Sequence, residues 1–133
     1  MTPEQLVSAV RARLDETERV ALAVSTGPHK PERWTAARYK DDLRGWRIDG
    51  QFSCVVDSAF GPDAEHIALH DPAAVLRRVA ADRETLDEHS PHRRGACPVC
   101  WRVTARSSMR EDYPCPTLRA LARGLGIDPE ETP

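Results

Sequence analysis

The chain is poor in aromatic residues and contains no long apolar run. Phe, Trp and Tyr together make up 5% of the 133 residues, so a core must come mostly from aliphatic side chains. No segment approaches the roughly 20 consecutive apolar residues that a membrane-spanning helix requires, and the N-terminus carries no basic and then apolar leader. We therefore expect a cytoplasmic protein with no membrane partner.

The chain also lacks the residue patterns of common enzymes. It has no glycine-rich phosphate loop and no pair of His residues with Glu between them in the arrangement of a metalloprotease helix. His66, His70 and Asp71 could serve a metal-dependent nuclease, but exposed His residues and a helix-capping Asp explain the same pattern. The sequence therefore predicts no catalytic residues, and a nuclease-like enzyme is the least supported hypothesis.

Four cysteines are present, and three of them lie close together near the C-terminus. Cys97 and Cys100 form a CxxC pair, and Cys115 follows 15 residues later. In a chain expected inside the cell, this pattern favours a metal site over disulfides.

A histidine can complete a tetrahedral Zn²⁺ site with these three thiols. His89 lies eight residues before Cys97 and is predicted to close a helix. His92 and Cys54 are the alternative fourth ligands. An iron–sulfur cluster is the alternative to zinc and would need all four cysteines.

Cys115 has a second argument in its favour. Pro116 suits the first turn of a helix over residues 117–124, which leaves Cys115 at the N-cap. The positive end of the helix dipole favours a thiolate there, and a thiolate is the form that binds a metal ion.

The remaining pattern predicts an α+β fold. Thr2, Pro3 and Gln5 form a capping box for a helix over residues 3–24, with an apolar face at Leu6, Val10 and Leu14 that continues through Val20 and Val24. Asp49-Gly50 predicts a two-residue hairpin turn within a small antiparallel sheet over 33–57. Helices are predicted over 63–70, after Gly61-Pro62, and over 72–89, capped by Asp71. Residues 1–89 form the α+β part, 90–127 a zinc module with a short helix, and 128–133 a frayed tail.

Four motifs follow one another in a recognisable order. They are HIALHDPAAVLRRV at residues 66–79, LDEH at 86–89, CPVC at 97–100 and YPCPTLRALA at 113–122. With them the chain resembles, over nearly its whole length, a family of small uncharacterised proteins from actinobacteria and their phages. The resemblance implies no activity, but it supports His89, Cys97, Cys100 and Cys115 as ligands. Such proteins often continue into a Tyr-rich tail, whereas this chain ends in GIDPEETP.

Positive charge is concentrated around the thiols. Residues 90–123 carry seven arginines against Glu111 and Asp112, a formal charge of +5 in a chain of net charge −2. A solvated arginine face would explain this, and so would a surface that attracts phosphates or an acidic protein. The arginines expected to make such contacts are Arg93, Arg94, Arg102, Arg106 and Arg110.

Three hypotheses for the function follow. The first is a small zinc-stabilised binding protein, regulatory or phage-associated, that contacts nucleic acid or an acidic protein through the basic zinc module. The second is a purely structural or adaptor protein in which zinc only fastens the C-terminal helix. The third is the nuclease-like enzyme described above.

Overall fold

The computed structural model describes residues 1–24, 33–40, 45–50, 54–91, 97–100, 102–104, 107–109 and 113–130. The α+β class predicted from the sequence is confirmed. Among the described residues, no helix combines the length and the apolar character that crossing a membrane requires. The elements are, in order, α1 (Pro3–Val24), β1 (Thr35–Arg38), β2 (Trp46–Asp49), β3 (Cys54–Ala59), α2 (Gly61–Leu69), α3 (Pro72–Glu88), β4 (Arg102–Thr104), β5 (Ser107–Met109) and α4 (Pro116–Gly124).

The chain divides into two compact units. The first contains Met1–Glu16 and Val79–Pro133, and the second contains Thr17–Arg78. Helices α1 and α3 therefore each contribute one end to the first unit and the other end to the second. The predicted division at residue 89, between the α+β part and the basic zinc module, stays a prediction.

The predicted capping box at the start of α1 is confirmed. The Thr2 amide donates to Gln5 Oε1 at 2.7 Å, and the Gln5 amide donates to Thr2 Oγ1 at 3.2 Å. These two bonds satisfy amide groups that the first turn of a helix leaves without partners. The helix start is thus encoded by Thr2, Pro3 and Gln5, within four consecutive positions of the sequence.

Aliphatic side chains at helical spacing form the core of the first unit. On α1, Leu6, Val10 and Leu14 are at most 1% exposed, as the i, i+4 pattern predicts. The other buried aliphatic residues of this unit come from α3 and α4, namely Val79, Leu86, Leu118 and Ala122.

The predicted continuation of the apolar face of α1 is wrong. Val20 and Val24 are 49% and 46% exposed, whereas Ala21 is 5% exposed. A helix turns once in about 3.6 residues, so two turns beyond Leu14 lead to residue 21 and not to residue 20. Val20 is one residue, or about 100°, away from that position, and Val24 is the last residue of the helix.

Two ion pairs fix the direction of α3 relative to α1 within the first unit. Arg11 lies 3.8 Å from Asp87, and Asp15 lies 2.7 Å from Arg83. From the first pair to the second, the residue number rises on α1 and falls on α3, so these two segments run antiparallel. Three of the four side chains are mostly exposed and that of Arg83 is 37% exposed, so the pairs add little stability and are informative mainly about geometry.

The second unit contains a three-stranded antiparallel sheet in the order β1, β2, β3. Ile48 at its centre pairs with Ala36 on one side and Val56 on the other, and its side chain is fully buried. On β3, Asp57 accepts a hydrogen bond from the hydroxyl of Tyr39, which follows β1. The sheet extends to Ala59, two residues beyond the predicted limit.

The predicted hairpin between β2 and β3 is present, but its turn is longer than predicted. Asp49 is still part of the ladder and pairs with Cys54. The connection therefore comprises residues 50–53, of which 51–53 lie outside the described residues. A two-residue turn would have required Asp49 itself to leave the ladder.

Helix α2 begins two residues earlier than predicted, at Gly61. Pro62 fits the first turn because it has no amide hydrogen to leave unpaired. A Cβ atom at Gly61 would lie 2.9 Å from Trp46 Nε1, so only glycine allows the helix start to approach this ring. Helices α3 and α4 match their predictions to within one residue.

Candidate metal centre

His89 lies immediately after the last residue of α3. Its amide donates to the Thr85 carbonyl at 3.1 Å, which continues the helical pattern by one residue. The side chain is 7% exposed, an unusual degree of burial for histidine without a partner. The end of a well-formed helix thus fixes where the imidazole ring is held.

Cys97 and Cys100 form a tight turn in the segment that follows. The Cys100 amide donates to Cys97 Sγ at 3.4 Å, so the turn itself brings both sulfurs to one side. Cys97 is 2% exposed, whereas Cys100 is half-buried. Val99 between them is 57% exposed and forms the open tip of the turn.

Cys115 is the N-cap residue of α4, as predicted. Its backbone is extended, with φ −66° and ψ 162°, and its carbonyl accepts the first helical bond from Arg119 at 3.0 Å. The side chain is fully buried and is directed into the cluster with the other thiols.

The four side chains surround a common point. His89 Nδ1 lies 3.3 Å from Cys97 Sγ, 3.4 Å from Cys100 Sγ and 3.5 Å from Cys115 Sγ. One imidazole nitrogen cannot make three good hydrogen bonds, because it has either one lone pair or one proton in the ring plane. Three sulfurs at nearly equal distances instead indicate a shared centre.

The distances agree with tetrahedral coordination. Bonds of about 2.3 Å to sulfur and about 2.0 Å to nitrogen place nitrogen and sulfur about 3.5 Å apart around a tetrahedral ion. The four ligand atoms all lie within 4.8 Å of one another. The cluster could therefore hold a metal ion without rearrangement of the backbone.

The electrostatics of the cluster favour a cation. Contrary to the thiolate predicted from the helix dipole, burial raises the pKa of Cys115 to about 12, and the neighbouring Cys97 and Cys100 add to the rise. Burial acts in the same direction on Cys97, but the amides of Cys100 and Val99 and the two other thiols outweigh it and lower the pKa of Cys97. The surroundings thus favour the thiolate of Cys97 and disfavour that of Cys115. A bound divalent ion would stabilise both thiolates.

The structure brings together the four residues predicted as ligands, and of the alternatives only Cys54 can be placed. Cys54 is exposed at the start of β3 and is not among the clustered residues. His92 lies outside the described residues. The sequence could not separate His89 from His92, whereas the end of α3 places His89 in the cluster.

Two further side chains, Thr117 and Tyr113, are neighbours of the cluster. Thr117 Oγ1 lies 3.6 Å from Cys100 Sγ. The hydroxyl of Tyr113 is buried with no hydrogen-bond partner among the described residues. Burial and the nearby thiolates of Cys115 and Cys97 raise the pKa of Tyr113 to about 12. Both residues lie within two positions of Cys115, which is the signal that could have found them.

Most of the predicted contact arginines cannot be placed. Arg93, Arg94, Arg106 and Arg110 lie outside the described residues. Arg102 begins β4, but its side chain is also outside them. Of the other arginines in the basic segment, Arg119 is half-exposed and Arg123 exposed on α4.

The residues considered for a nuclease have structural explanations. Asp71 is 7% exposed, and its two carboxylate oxygens accept from the amides of Ala74 at 2.6 Å and Trp34 at 3.3 Å. The predicted N-cap of α3 is thereby confirmed. His66 on α2 and His70, the residue that follows the helix, are both exposed, with ring centroids 4.7 Å apart. Within the described ranges these residues form no group of three metal-binding side chains.

An α+β fold with a buried cluster of one histidine and three cysteines defines a small protein with a candidate metal centre. The chain belongs to a family of unknown function, DUF6221, which matches residues 3–124. The predicted membership of an uncharacterised family is confirmed to this extent, while the motifs and the actinobacterial or phage origin stay predictions. Neither a curated protein nor a solved structure matches the chain.

Proposed function

We propose that the protein is a small zinc-stabilised binding protein without enzymatic activity, and that its basic segment contacts nucleic acid. The observation that carries the proposal is the arrangement of three sulfurs at 3.3 to 3.5 Å from one imidazole nitrogen. Such an arrangement provides four protein ligands and leaves no open position for substrate or water. Closed sites of this kind stabilise a fold, whereas catalytic sites keep one position free.

Zinc is the metal that best suits the donor set. Three thiolates and one imidazole in a tetrahedral arrangement are typical of structural zinc sites. An iron–sulfur cluster is normally held by four thiolates, but the fourth donor here is nitrogen and Cys54 lies outside the cluster. Carboxylate-binding ions such as Mg²⁺ and Ca²⁺ are disfavoured because the cluster contains no oxygen ligand.

The basic segment is anchored at the cluster. Residues 101–114 lie between Cys100 and Cys115, and they include Arg102, Arg106 and Arg110. The short antiparallel pair β4 and β5 lies in this stretch, and an isolated pair of such short strands is only marginally stable in water. With three thiolates and one Zn²⁺ the segment 90–123 still carries a formal charge of +4, which favours contact with phosphates.

The metal is tested by native mass spectrometry of protein purified without added zinc, before and after chelation. We expect one Zn²⁺ per chain. A metal-free, cooperatively folded monomer, or the visible absorption of an iron–sulfur cluster, would reject the proposed site.

Nucleic-acid binding is tested on the zinc-loaded protein with short DNA and RNA at low and high salt. We expect micromolar affinity with little sequence preference, falling steeply as the salt concentration rises. Reversal of Arg102, Arg106 and Arg110 to Glu should abolish binding without changing zinc content or helicity.

A matched control keeps the same change in net charge outside the basic segment. Arg33, Lys40 and Arg77 are exposed in the second unit, and their reversal to Glu should leave most of the binding. No retention of DNA or RNA at roughly 50 mM salt, or equal loss in both triple variants, would overturn the nucleic-acid proposal. An acidic protein partner or a purely structural role would then be the better explanation.

A further inference from the structure

We propose that the cluster is also a thiol switch, in which peroxide converts Cys100 and Cys97 to a disulfide and expels the metal ion. This inference rests on the proposed zinc site and adds a mode of regulation to it. It is carried by the unequal burial of the three sulfurs and by the geometry of the CxxC turn.

The three thiols differ in their access to solvent. Cys97 and Cys115 are 2% and 0% exposed, respectively. Cys100 is half-buried and follows Val99, which is 57% exposed at the tip of the turn. A small oxidant therefore reaches the sulfur of Cys100 first, and bound zinc keeps that sulfur in the reactive thiolate form.

A resolving thiol is already in place. The Cys100 amide donates to Cys97 Sγ at 3.4 Å, and the two sulfurs lie within 4.8 Å of each other. A disulfide requires about 2.05 Å between sulfurs, a change that side-chain rotation within one short turn can supply. Cys115 is less well placed to resolve the oxidised sulfur, because it lies at the start of α4 and not in the same turn as Cys100.

The chemistry balances with hydrogen peroxide as the oxidant. The Cys100 thiolate attacks one peroxide oxygen, the O–O bond breaks, and a sulfenic acid and one water form after uptake of a proton. The Cys97 thiolate then attacks the sulfenic sulfur, which forms the S–S bond and, with a second proton, releases a second water. Two thiolates lose two electrons, and the ion leaves as Zn²⁺ with its oxidation state unchanged.

Loss of two ligands explains the release. His89 and Cys115 alone provide two donors, which is fewer than the four of a structural zinc site. Cys115 is the N-cap residue of α4 and follows residues 101–114 directly. Release of the ion therefore also frees the C-terminal end of residues 101–114. Oxidation would thus weaken the proposed nucleic-acid contact without any change in the arginines.

The experiment uses the zinc-loaded Cys54→Ser protein, which removes the exposed thiol outside the cluster. Peroxide is added in the presence of a chromogenic zinc chelator, and the products are digested with trypsin and identified by mass spectrometry. Cys97 and Cys100 lie between Arg94 and Arg102, whereas Cys115 lies between Arg110 and Arg119. The expected disulfide is therefore confined to one peptide, which loses two hydrogen atoms, while any bridge to Cys115 links two peptides.

We expect one zinc ion to be released per disulfide formed. A dithiol reductant should then reduce the disulfide, and added zinc should bind the cluster again. Pulsed alkylation of the zinc-loaded wild-type protein should modify Cys100 before Cys97 and Cys115, which tests the order of access without a variant in the cluster. Zinc retention under peroxide, release without the Cys97–Cys100 disulfide, or first alkylation at Cys115 would each overturn the switch while leaving the zinc site standing. Absence of zinc from the untreated protein would overturn both proposals together.

Discussion

Replacement of Cys115 by Ser should remove the metal and unfold α4. Serine is one of the preferred N-cap residues, so the substitution does not harm the start of the helix as such. What it removes is one of the three sulfurs around His89 Nδ1. Any loss of structure in this variant therefore reports the loss of the metal ion and not a poorer helix cap.

The expected size of the effect follows from the helix length. α4 has 9 residues, fewer than the 12–15 or so below which isolated helices are marginal in water. It is otherwise held by the buried side chains of Leu118 and Ala122. Binding of a structural zinc ion contributes about 10–16 kcal/mol, comparable with the whole stability of a domain, about 5–15 kcal/mol. Two small buried contacts cannot replace it.

Circular dichroism, metal analysis and hydrogen exchange measure the outcome together. The helix α4 provides 9 of the 57 residues in the described helices, so helicity should fall by at least about a sixth. Amides of residues 117–127 should lose protection. Cys54→Ser is the matched control and should keep one zinc and full helicity. If Cys115→Ser retains its zinc or the protection of α4, the proposed coordination is wrong.

Three further predictions concern other parts of the chain. Gly61→Ala should destabilise by about 1–3 kcal/mol in chemical denaturation because its Cβ meets the Trp46 ring, whereas Gly124→Ala, with nothing within 4 Å, should be neutral or stabilising by up to about 1 kcal/mol. Equal effects would contradict this packing. Asp71→Ala should lower the free energy of unfolding by about 1–3 kcal/mol, because the amides of Ala74 and Trp34 lose their acceptor. The variant should keep its zinc, and loss of the metal would refute a purely structural role for Asp71. Zinc affinity in competition titrations should rise at least about tenfold per pH unit from 6 to 8, because a pKa of about 12 keeps Cys115 protonated until the ion displaces the proton. A pH-independent affinity would contradict it.

Local signals in the sequence were sufficient for most of the helices. Thr2 and Gln5 encode the start of α1, Asp71 encodes the start of α3, and Cys115 is the N-cap of α4. Each prediction depended on hydrogen bonds between residues at most four positions apart. Such bonds form in the same way whatever the rest of the fold does, and for this reason they could be predicted.

The errors concern features that depend on packing at a distance. Val20 is exposed because it lies about 100° around the helix from the buried Ala21, which keeps the direction of Leu14. The early start of α2 depends on the room that Gly61 leaves for Trp46, a contact across 15 positions of sequence. The longer turn after Asp49 depends on its pairing with Cys54, and turn propensity alone does not set that register.

The candidate site lies between these two cases. The CxxC spacing was enough to predict Cys97 and Cys100 as neighbours, and the N-cap argument added Cys115. The choice of His89 depended on where α3 ends relative to the thiols. That is a matter of helix length, which sequence patterns define only to within a few residues.

The position of Cys100 and Cys115 in one cluster has a consequence for how this chain can change. The 14 residues between them form a stretch fastened at both ends. Doubling the length of such a closed stretch costs only about 0.6 kcal/mol in closure entropy. Its sequence can therefore be lengthened, shortened or exchanged while the frame that holds it is unchanged. The same frame would accept a grafted peptide, with the metal ion serving as the clasp.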